Sequence, residues 1–564
     1  MRLSVLALAA TTHAFSIGGI IDTTSGPIRG QPSSLRPDVS EYLGIRYAKP
    51  PIDDLRFAAP VPPDRSTTVF NATAYVLDHA FIVGLPGENI LSAFAQRDNT
   101  LDEDCLSVNV WTKPQHGDRK KAVLFWIYGG DFKSGSSHTL TYDGSTLADE
   151  NDLIVVTPNT RVNVFGYSGA PGQPWNVGLR DTRLALEWTR DNIAAFGGDP
   201  ARITVGGISS GGLTADMLAY SNLHDPIAHG YIPHSGIASS YLATGAQNDQ
   251  EDATAAWYNL SSTVGCGDAD SFPDTTVACM RAKPYPDLLA AMQQHPTVQL
   301  KFRPVEDDDT VPRGFATLGQ RGRFAHKPLL TGSTDNELGF FLVVAFIKAN
   351  LTTEQVAAFP VRLLQPLMDL FALAAFTCSA AEAAQYRADR GVPVWRYRYY
   401  GGGYPNTEMV PVGSAYHGSE APMVFGTASV VTGMADSEAE AQAGRYMRAA
   451  WAAFAKDPVG GLSGREFRWP MFQSDRRSLI QLSLGNQTKP TYVSHFETDA
   501  MCPVLKSYDS VIDDLNIVFT AMGSDKVGGL ITKLADIFNK PLDNEAALRH
   551  ALDRIHEIAA SIRG

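Results

Sequence analysis

A serine flanked by glycines lies at a predicted sharp bend of the chain. Ser209 is the centre of the G-x-S-x-G pentapeptide 207–211, between a strand-like run at 203–205 and a helix-like run at 213–220. Such a strand–turn–helix bend crowds the backbone and excludes side chains larger than hydrogen at both glycine positions. It also exposes the serine hydroxyl above a helix N-terminus, which favours nearby negative charge. The pattern predicts a nucleophilic serine, although an isolated match can arise by chance in a chain with 49 glycines.

Such a serine needs a general base, and His417 is the candidate that its context favours. It lies in the small-residue loop 413–420, just after a predicted strand at 392–400. A loop at the end of a parallel strand is where a catalytic side chain projects over a sheet. The other histidines after the serine remain alternatives: His224, His229, His234, His295, His326, His495, His550 and His556.

The acid that orients the base and the donors for an oxyanion have weaker signals. Asp335 and Glu337 follow a predicted buried strand in a small polar turn, where carboxylates more often cap helices or face water. For the oxyanion, candidate donors are the backbone amides of Gly130, Asp131 and Ser210. The alternative for residues 129–131 is an ordinary tight turn. These signals gain weight together because they follow the order serine, acid, histidine.

The surrounding elements predict an α/β protein. Continuous apolar runs predict buried strands and amphipathic runs predict helices, and the two kinds alternate. The predicted strands are 106–111, 122–128, 153–157 and 392–400, and the predicted helices are 181–196 and 438–454. This alternation indicates a large, mostly parallel sheet flanked by helices.

Composition and the N-terminus indicate a soluble, secreted protein. The net charge of −13 disfavours nucleic acid and anionic membrane surfaces as partners. Residues 1–14 resemble a signal peptide, with Arg2 before an apolar run, although a buried strand or helix is the alternative. Elsewhere no apolar run reaches about 18 residues, because Pro366 and Asp369 interrupt the best candidate. We therefore expect an extracellular location and no stable membrane insertion.

The sequence contains five cysteines, two of which lie only 13 residues apart. Cys266 and Cys279 lie close together in one predicted compact loop, and the odd total of five leaves at least one thiol outside any intramolecular bridge. The apolar segment 80–104 is either a loop packed on the body or a lid over a pocket. A helical stripe near the C-terminus either docks on the body, binds a partner or extends outward. Four acceptors for N-glycosylation support secretion weakly: Asn71, Asn259, Asn350 and Asn486.

Longer segments resemble the type-B carboxylesterase/lipase family, the group that contains cholinesterases and fungal lipases. The segments are YLGIRYAKPP (42–51), LRF (55–57), EDCLSVNVW (103–111), WIYGGDF (126–132), NVGLRD (176–181), NIAAFGGDP (192–200), the serine pentapeptide, DNE (335–337) and AYHGSEAP (415–422). The resemblance covers roughly residues 20–505. It implies an α/β-hydrolase fold, a triad of Ser209, Glu337 and His417, an oxyanion hole of the Gly130, Asp131 and Ser210 amides, and a loop disulfide between Cys266 and Cys279.

The chain departs from the family pattern at several positions. Ile208 stands where the family usually has glutamate, and Asp131 stands where the oxyanion segment usually has glycine or alanine. Asp131 adds negative charge near a developing oxyanion unless its side chain points away, which would slow turnover. No cysteine precedes Cys105 to close the first loop, and segment 80–104 has no tryptophan of the kind that binds choline. These departures argue against a cholinesterase.

The sequence thus predicts a secreted serine esterase that works through an acyl-enzyme. The expected organisation is a signal peptide at 1–14, a hydrolase domain at 15–505 and a helical extension at 506–564. A binding or adhesion protein on the same scaffold and a lid-gated triacylglycerol lipase remain alternatives. We expect ester substrates, no cofactor, no metal ion and no nucleic-acid partner, and the oligomeric state stays open.

Overall fold

The computed structural model describes most of the chain. The described residues are 16–75, 101–114, 120–240, 249–294, 301–348, 361–407 and 413–508, and in the C-terminal stretch 510, 514, 515, 517, 518, 533, 534, 536–538, 542 and 544–563. The predicted signal peptide, residues 80–100 of the possible lid and Asn350 lie outside the described residues.

A mixed sheet of 11 strands forms the centre of the fold. The strands of the structure are β1 Ile20–Thr23, β2 Gly26–Arg29, β3 Gln31–Pro32, β4 Ser40–Arg46, β5 Phe70–Asn71, β6 Ser107–Thr112, β7 Lys121–Ile127, β8 Ile154–Pro158, β9 Gly198–Ile208, β10 Ala228–His234, β11 Leu329–Thr334, β12 Val394–Tyr399, β13 Leu479–Leu482 and β14 Thr491–Val493. The large sheet has the order β14-β13-β12-β11-β10-β9-β7-β8-β6-β4-β3, and β1, β2 and β5 form a small second sheet. The seven consecutive strands from β13 to β8 in this order run parallel to one another, which confirms the mostly parallel sheet.

The central strands are buried on both faces. Every residue of β7 and β8 is buried, as expected for parallel strands covered by helices on both sides. The α-helices are Ser145–Asn151, Asn163–Gly166, Val177–Asn192, Ser210–Ser221, Gln250–Thr263, Pro273–Ala282, Tyr285–Gln294, Phe315–Gln320, Leu338–Lys348, Val361–Ala372, Ser379–Ala388, Ala421–Phe425, Ala428–Thr432, Glu438–Lys456, Phe496–Asp499, Cys502–Lys506 and Glu545–Arg563. A π-helical turn, Leu373–Cys378, joins two of them.

The expectation that Pro366 and Asp369 interrupt the apolar run around them was wrong. Pro366 lies inside the helix Val361–Ala372, which continues through the π-helical turn into the helix Ser379–Ala388. Proline removes one helical hydrogen bond, but burial of neighbours such as Leu367 and Met368 offsets that loss. By length and composition, residues 365–388 match a membrane span, yet 78% of their most apolar window is buried inside the protein. They form a core helix of this fold.

The C-terminal helix docks on the body of the protein. Its apolar stripe, including Leu548, Leu552 and Ile555, is buried in one cluster with residues of the helix Val361–Ala372, whereas Ile562 at its end is 39% exposed. A disulfide between Cys378 and Cys502 fastens the π-helical turn to the start of the C-terminal stretch. The disulfide between Cys266 and Cys279 is also present. Cys105 is buried and takes part in neither bridge.

A buried ion pair joins Arg161, which follows β8, to Asp181 of the helix Val177–Asn192. The Arg161 guanidinium donates to both oxygens of Asp181 at 2.9 and 2.7 Å, and it also donates to the Ala58 carbonyl at 2.8 Å. Both side chains are at most 1% exposed. Removal of one partner would leave the other charge buried without compensation.

We expect Arg161→Met to lower the free energy of unfolding by about 3–5 kcal/mol, because the carboxylate of Asp181 stays buried. Urea denaturation of the variant and the parent protein measures this difference. The matched control is Arg190→Met, which breaks half-exposed ion pairs with Asp191 and Asp225 and should cost about 1 kcal/mol or less. Equal costs for the two variants would contradict the prediction.

Candidate active site

Ser209 lies in a strained turn between β9 and the helix Ser210–Ser221. Its backbone has φ 58° and ψ −125°, and its N–H donates to the His234 carbonyl at 2.9 Å. A Cβ atom on Gly207 would lie 2.5 Å from the backbone of Gly211, and one on Gly211 would lie 2.2 Å from the Ile127 carbonyl oxygen. Only glycine fits at either position, as the pentapeptide predicts. The turn holds the serine at the C-terminal edge of the sheet.

Glu337 and His417 form a buried pair at the same edge. His417 Nδ1 lies 2.5 Å from Glu337 Oε2, and the two side chains are 7% and 0% exposed. The loops that carry them are joined, because the Asn336 N–H donates to the Ala415 carbonyl at 2.8 Å. Ser209 follows β9 and Glu337 follows β11, with β10 between these parallel strands. Parallel strands present their C-terminal ends to one side of the sheet, so the three residues share one edge.

The second ring nitrogen of His417, Nε2, is unpaired in the described part of the chain. Within the described residues, Nε2 is buried and has no hydrogen-bond partner, and the structure shows no hydrogen bond between it and the Ser209 hydroxyl. The Nδ1–H group of His417 donates to the Glu337 carboxylate. This hydrogen bond fixes the tautomer in which Nε2 carries no proton. Nε2 is thus the nitrogen that is able to accept a proton. Catalytic hydrogen bonds are often long before a substrate binds.

Ser235 is a member of the site that the sequence analysis missed. Its hydroxyl donates to Glu337 Oε1 at 2.7 Å, and the Thr334 N–H donates to the same oxygen at 2.7 Å. Burial alone would raise the pKa of Glu337, but electrostatic attraction to the His417 imidazole, the hydrogen bond from that imidazole and those from Thr334 and Ser235 hold the pKa below its ordinary value. The signal for Ser235 was its place directly after β10, the strand between the two that carry Ser209 and Glu337.

The segment 129–132 approaches Ser209 closely. A Cβ atom on Gly129 would lie 2.9 Å from Ser209 Cβ, and Gly130 has φ 137°. In the described part of the chain, the N–H groups of Gly130, Asp131 and Ser210 donate to no backbone or side-chain acceptor. The geometry is therefore compatible with these amides as donors to an oxyanion.

The negative charge of Asp131 is compensated. Its carboxylate accepts from Lys133 Nζ at 2.6 Å and from the Arg303 guanidinium. Burial would raise the pKa of Asp131, but these two cations lower it, so the carboxylate is ionised. From the sequence alone, we expected the Asp131 charge to slow turnover unless the side chain points away. That expectation did not include Lys133 and Arg303, which compensate the charge.

Of the other candidates, His295 lies outside the described residues, and several of the described ones have partners of their own. Asp335 faces Arg398, 3.6 Å away, rather than His417, so the structure separates the two candidate acids. His495 bonds Asp499 at 3.1 Å, and His556 bonds Asp514 at 2.7 Å.

His234 belongs to a fully buried network beside the site. Its Nδ1 lies 3.1 Å from Glu420 Oε1, and its Nε2 accepts from the Trp451 indole N–H at 2.7 Å. Both ring nitrogens are occupied, so His234 is not an available base. Because Glu420 follows His417 by three residues, the network ties the loop of the histidine to β10.

Aromatic rings pack around the buried imidazole of His417. The ring centroids of Phe341 and Phe376 lie 5.2 and 5.4 Å from that of His417. Ile208, next to Ser209, is buried in the core rather than charged. Among the described residues, no group of three or more histidine, cysteine or carboxylate side chains is arranged to hold a metal ion. The surroundings of His417 are therefore apolar.

Comparison with known proteins identifies the family of this chain. The model of the Carboxylesterase family matches residues 18–368 and 347–499. The chain belongs to the carboxylesterase family. Its fold is therefore the α/β-hydrolase fold, with the 11-stranded mixed sheet described above. The C-terminal stretch beyond residue 499 lies outside the match.

Curated relatives of this carboxylesterase are esterases and a lipase. It is 29% identical to the chlorogenic acid esterase of Aspergillus niger over 529 residues, which cover 86% of this chain and 97% of that protein. It is 30% identical to the para-nitrobenzyl esterase of Bacillus subtilis (strain 168) over 484 residues, with 82% and 94% covered. It is also 30% identical to secreted lipase 5 of Gibberella zeae over 507 residues, with 84% and 91% covered. The carboxylesterase is a carboxylic ester hydrolase.

Proposed function

We propose that this carboxylesterase is a secreted serine esterase with the triad Ser209, Glu337 and His417. The observation that carries the proposal is the buried Glu337–His417 pair at the same sheet edge as the strained Ser209. The Nε2 atom of His417 has no hydrogen-bond partner within the described residues. A buried imidazole with an unsatisfied nitrogen and a serine at positive φ both cost stability, and such costs concentrate at functional sites.

The proposed reaction has two steps. His417 Nε2 takes the proton of Ser209 as Oγ attacks the carbonyl carbon of the ester, and the same proton then goes to the alcohol as its C–O bond breaks. Water next attacks the acyl-enzyme and gives a proton to His417, which passes it to Ser209 Oγ as the bond between Oγ and the acyl carbon breaks and the acid is released. Glu337 keeps the imidazole in the required tautomer and stabilises its positive charge. The amides of Gly130, Asp131 and Ser210 stabilise the negative oxygen in both steps.

The expected substrates are neutral esters with an apolar or aromatic group. Phe341 and Phe376 offer apolar surface beside His417, and Ile208 provides no negative charge for a cationic group. The related proteins are named for aromatic esters and for lipase activity, which fits such surroundings. We expect choline esters to be no better than neutral esters of equal size.

The remaining parts of the proposal concern processing and organisation. We propose that residues 1–14 direct secretion, that 15–505 form the hydrolase domain and that 506–564 form a helical extension. Two disulfides and a relative named as secreted are compatible with an extracellular location. Asn71, Asn259 and Asn486 are exposed, so these glycosylation acceptors are accessible.

A fluorophosphonate probe tests the proposed nucleophile directly. We expect it to label the parent protein at Ser209, and to label neither Ser209→Ala nor a sample denatured before the probe is added. Peptide mapping identifies the labelled residue. An unlabelled but folded parent protein would favour the alternative of a binding or adhesion protein on the same scaffold.

The substrate range is tested with nitrophenyl esters of increasing acyl length. We expect kcat/KM to peak at short or medium chains in true solution, without a jump above the solubility limit of the longer esters. Such a jump would instead indicate the lid-gated lipase alternative. A parallel pair of choline and neutral esters of equal size tests the expected lack of preference for cations.

A further inference from the structure

The segment 130–132 has a backbone conformation that needs external support. Gly130, Asp131 and Phe132 all have positive φ, at 137°, 57° and 59°. Two consecutive non-glycine residues in this region cost about 1–2 kcal/mol each. The segment keeps this shape only if its surroundings determine it.

The contacts at either end of the segment are local or buried. The Gly130 carbonyl accepts from the N–H groups of Lys133 and Ser134 at 3.1 Å each. The Phe132 carbonyl accepts from the Asn163 N–H at 2.7 Å, and the Phe132 ring packs edge-on against Tyr167. Between these ends, the carboxylate of Asp131 bonds two cations, Lys133 and Arg303. Lys133 belongs to the same turn, so among the residues that the structure describes, Arg303 is the partner that ties the Asp131 side chain to a distant part of the sequence.

Arg303 comes from a segment that is firmly fixed. Its neighbour Phe302 is fully buried. The Asn176 side chain accepts from the Val305 N–H at 2.8 Å and donates to the Val305 carbonyl at 2.7 Å. Asn176 immediately precedes the helix Val177–Asn192, so that this helix anchors the segment. The Arg303 side chain is 11% exposed and the Asp131 side chain is 45% exposed, so only the guanidinium is largely shielded from solvent. A guanidinium–carboxylate hydrogen bond is charge-assisted and directional.

The charges at this point also favour a nearby negative oxygen. The carboxylate of Asp131 carries one negative charge, while Lys133 and Arg303 carry two positive charges. The three groups together leave a net positive charge beside the segment. A fixed positive potential stabilises an oxyanion without reorganisation during the reaction.

We propose that the Asp131–Arg303 ion pair is a positioning device that holds the oxyanion segment in its donating conformation. Arg303 is then a positioning residue of this esterase, although it lies 172 residues from Asp131 in the sequence. The proposal rests on the proposed function, since it assumes that the Gly130 and Asp131 amides serve the oxyanion. It also gives Asp131 a role that glycine or alanine at this position does not offer.

The test measures kcat and KM of Asp131→Asn, Arg303→Met and the double variant on a soluble neutral nitrophenyl ester. Asparagine keeps the shape of the side chain and tolerates positive φ. We expect each single variant to lower kcat by about 10- to 100-fold with KM changed by less than about threefold, because the segment acts on the transition state. The kcat of the double variant should be no lower than that of the less active single variant, because the two substitutions remove the same interaction.

Two further variants separate positioning from general stability. Arg303→Lys keeps a cation and should recover part of the lost kcat. Lys301 lies two residues before Arg303 and forms a half-exposed ion pair with Asp252. Lys301→Met breaks that ion pair and should leave kcat unchanged. The melting temperature of each variant is measured alongside, and a folded Asp131→Asn suffices for the test if Arg303→Met does not fold.

The contrary results are distinct. A higher kcat in Asp131→Asn would show that the carboxylate opposes the oxyanion, and a kcat for Arg303→Met equal to that of Lys301→Met would show that the ion pair positions nothing. Either result overturns the inference. Fluorophosphonate labelling of Ser209 in the parent protein keeps this failure apart from a failure of the proposed function, which an unlabelled parent would indicate.

Discussion

Ser209→Ala is expected to lower kcat for ester hydrolysis by about 10⁶-fold, because the variant lacks the atom that forms the acyl-enzyme. The remaining groups at the site would still bind an ester and polarise its carbonyl, so a small rate above that of water should persist. The change removes one oxygen atom and leaves Gly207 and Gly211 in place, so the turn itself should remain. Stopped assays with highly purified protein are needed to measure a loss of this size.

The matched control is Ser221→Ala, at the other end of the same helix. The Ser221 hydroxyl donates to the Met217 carbonyl one turn earlier and accepts from the Asn222 side-chain amide, both at the far end of the helix, so its loss should leave kcat within about twofold. Circular dichroism and the melting temperature of both variants establish that the fold is intact. More than about 1% of the parent activity in Ser209→Ala, with no contaminating esterase, would argue for a different nucleophile.

The frame of the site was predictable because short-range sterics and strand order determine it. The turn at Ser209 requires glycine on both sides, and the crowding of Gly207 and Gly211 against backbone atoms shows the physical reason. The apolar runs that become β7 and β8 are buried on both sides, so their hydrophobicity marks them as central strands. The site residues follow such strands, and the sheet brings their ends together.

The partners of the charged groups were not predictable from the sequence. Arg303 meets Asp131 only because a distant segment folds back beside the oxyanion turn, and no local pattern encodes that meeting. The choice between Asp335 and Glu337 is similar, since both follow β11 and only the position of Arg398 draws Asp335 away. The apolar stripe of the C-terminal helix predicted burial, but not the surface that covers it. Long-range packing decides each of these cases.

Glu337→Gln is expected to lower kcat by about 10⁴-fold through the wrong tautomer of His417. The Thr334 N–H and the Ser235 hydroxyl both donate to Oε1, so the carbonyl oxygen of a glutamine must occupy that position. Its NH₂ group then faces His417 Nδ1, which becomes an acceptor, and the imidazole proton moves to Nε2. A protonated Nε2 is unable to take the proton of Ser209, although every heavy atom keeps its place.

The pH dependence gives an independent check on the same carboxylate. Because the pKa of Glu337 is lowered in the folded protein, its stabilising interactions are complete above its ordinary pKa of 4.5 and are lost only as pH falls below that value. Protonation of Glu337 should therefore not limit kcat/KM between pH 4.5 and 7, and any loss of activity there should reflect another group.

The matched control for Glu337→Gln is Asp335→Asn, because the Asp335 carboxylate faces Arg398 rather than His417. This variant should keep kcat within about threefold and show an unchanged pH profile. Equal losses in the two variants would mean that the hydrogen bond to His417 does not distinguish Glu337, and the tautomer argument would fail.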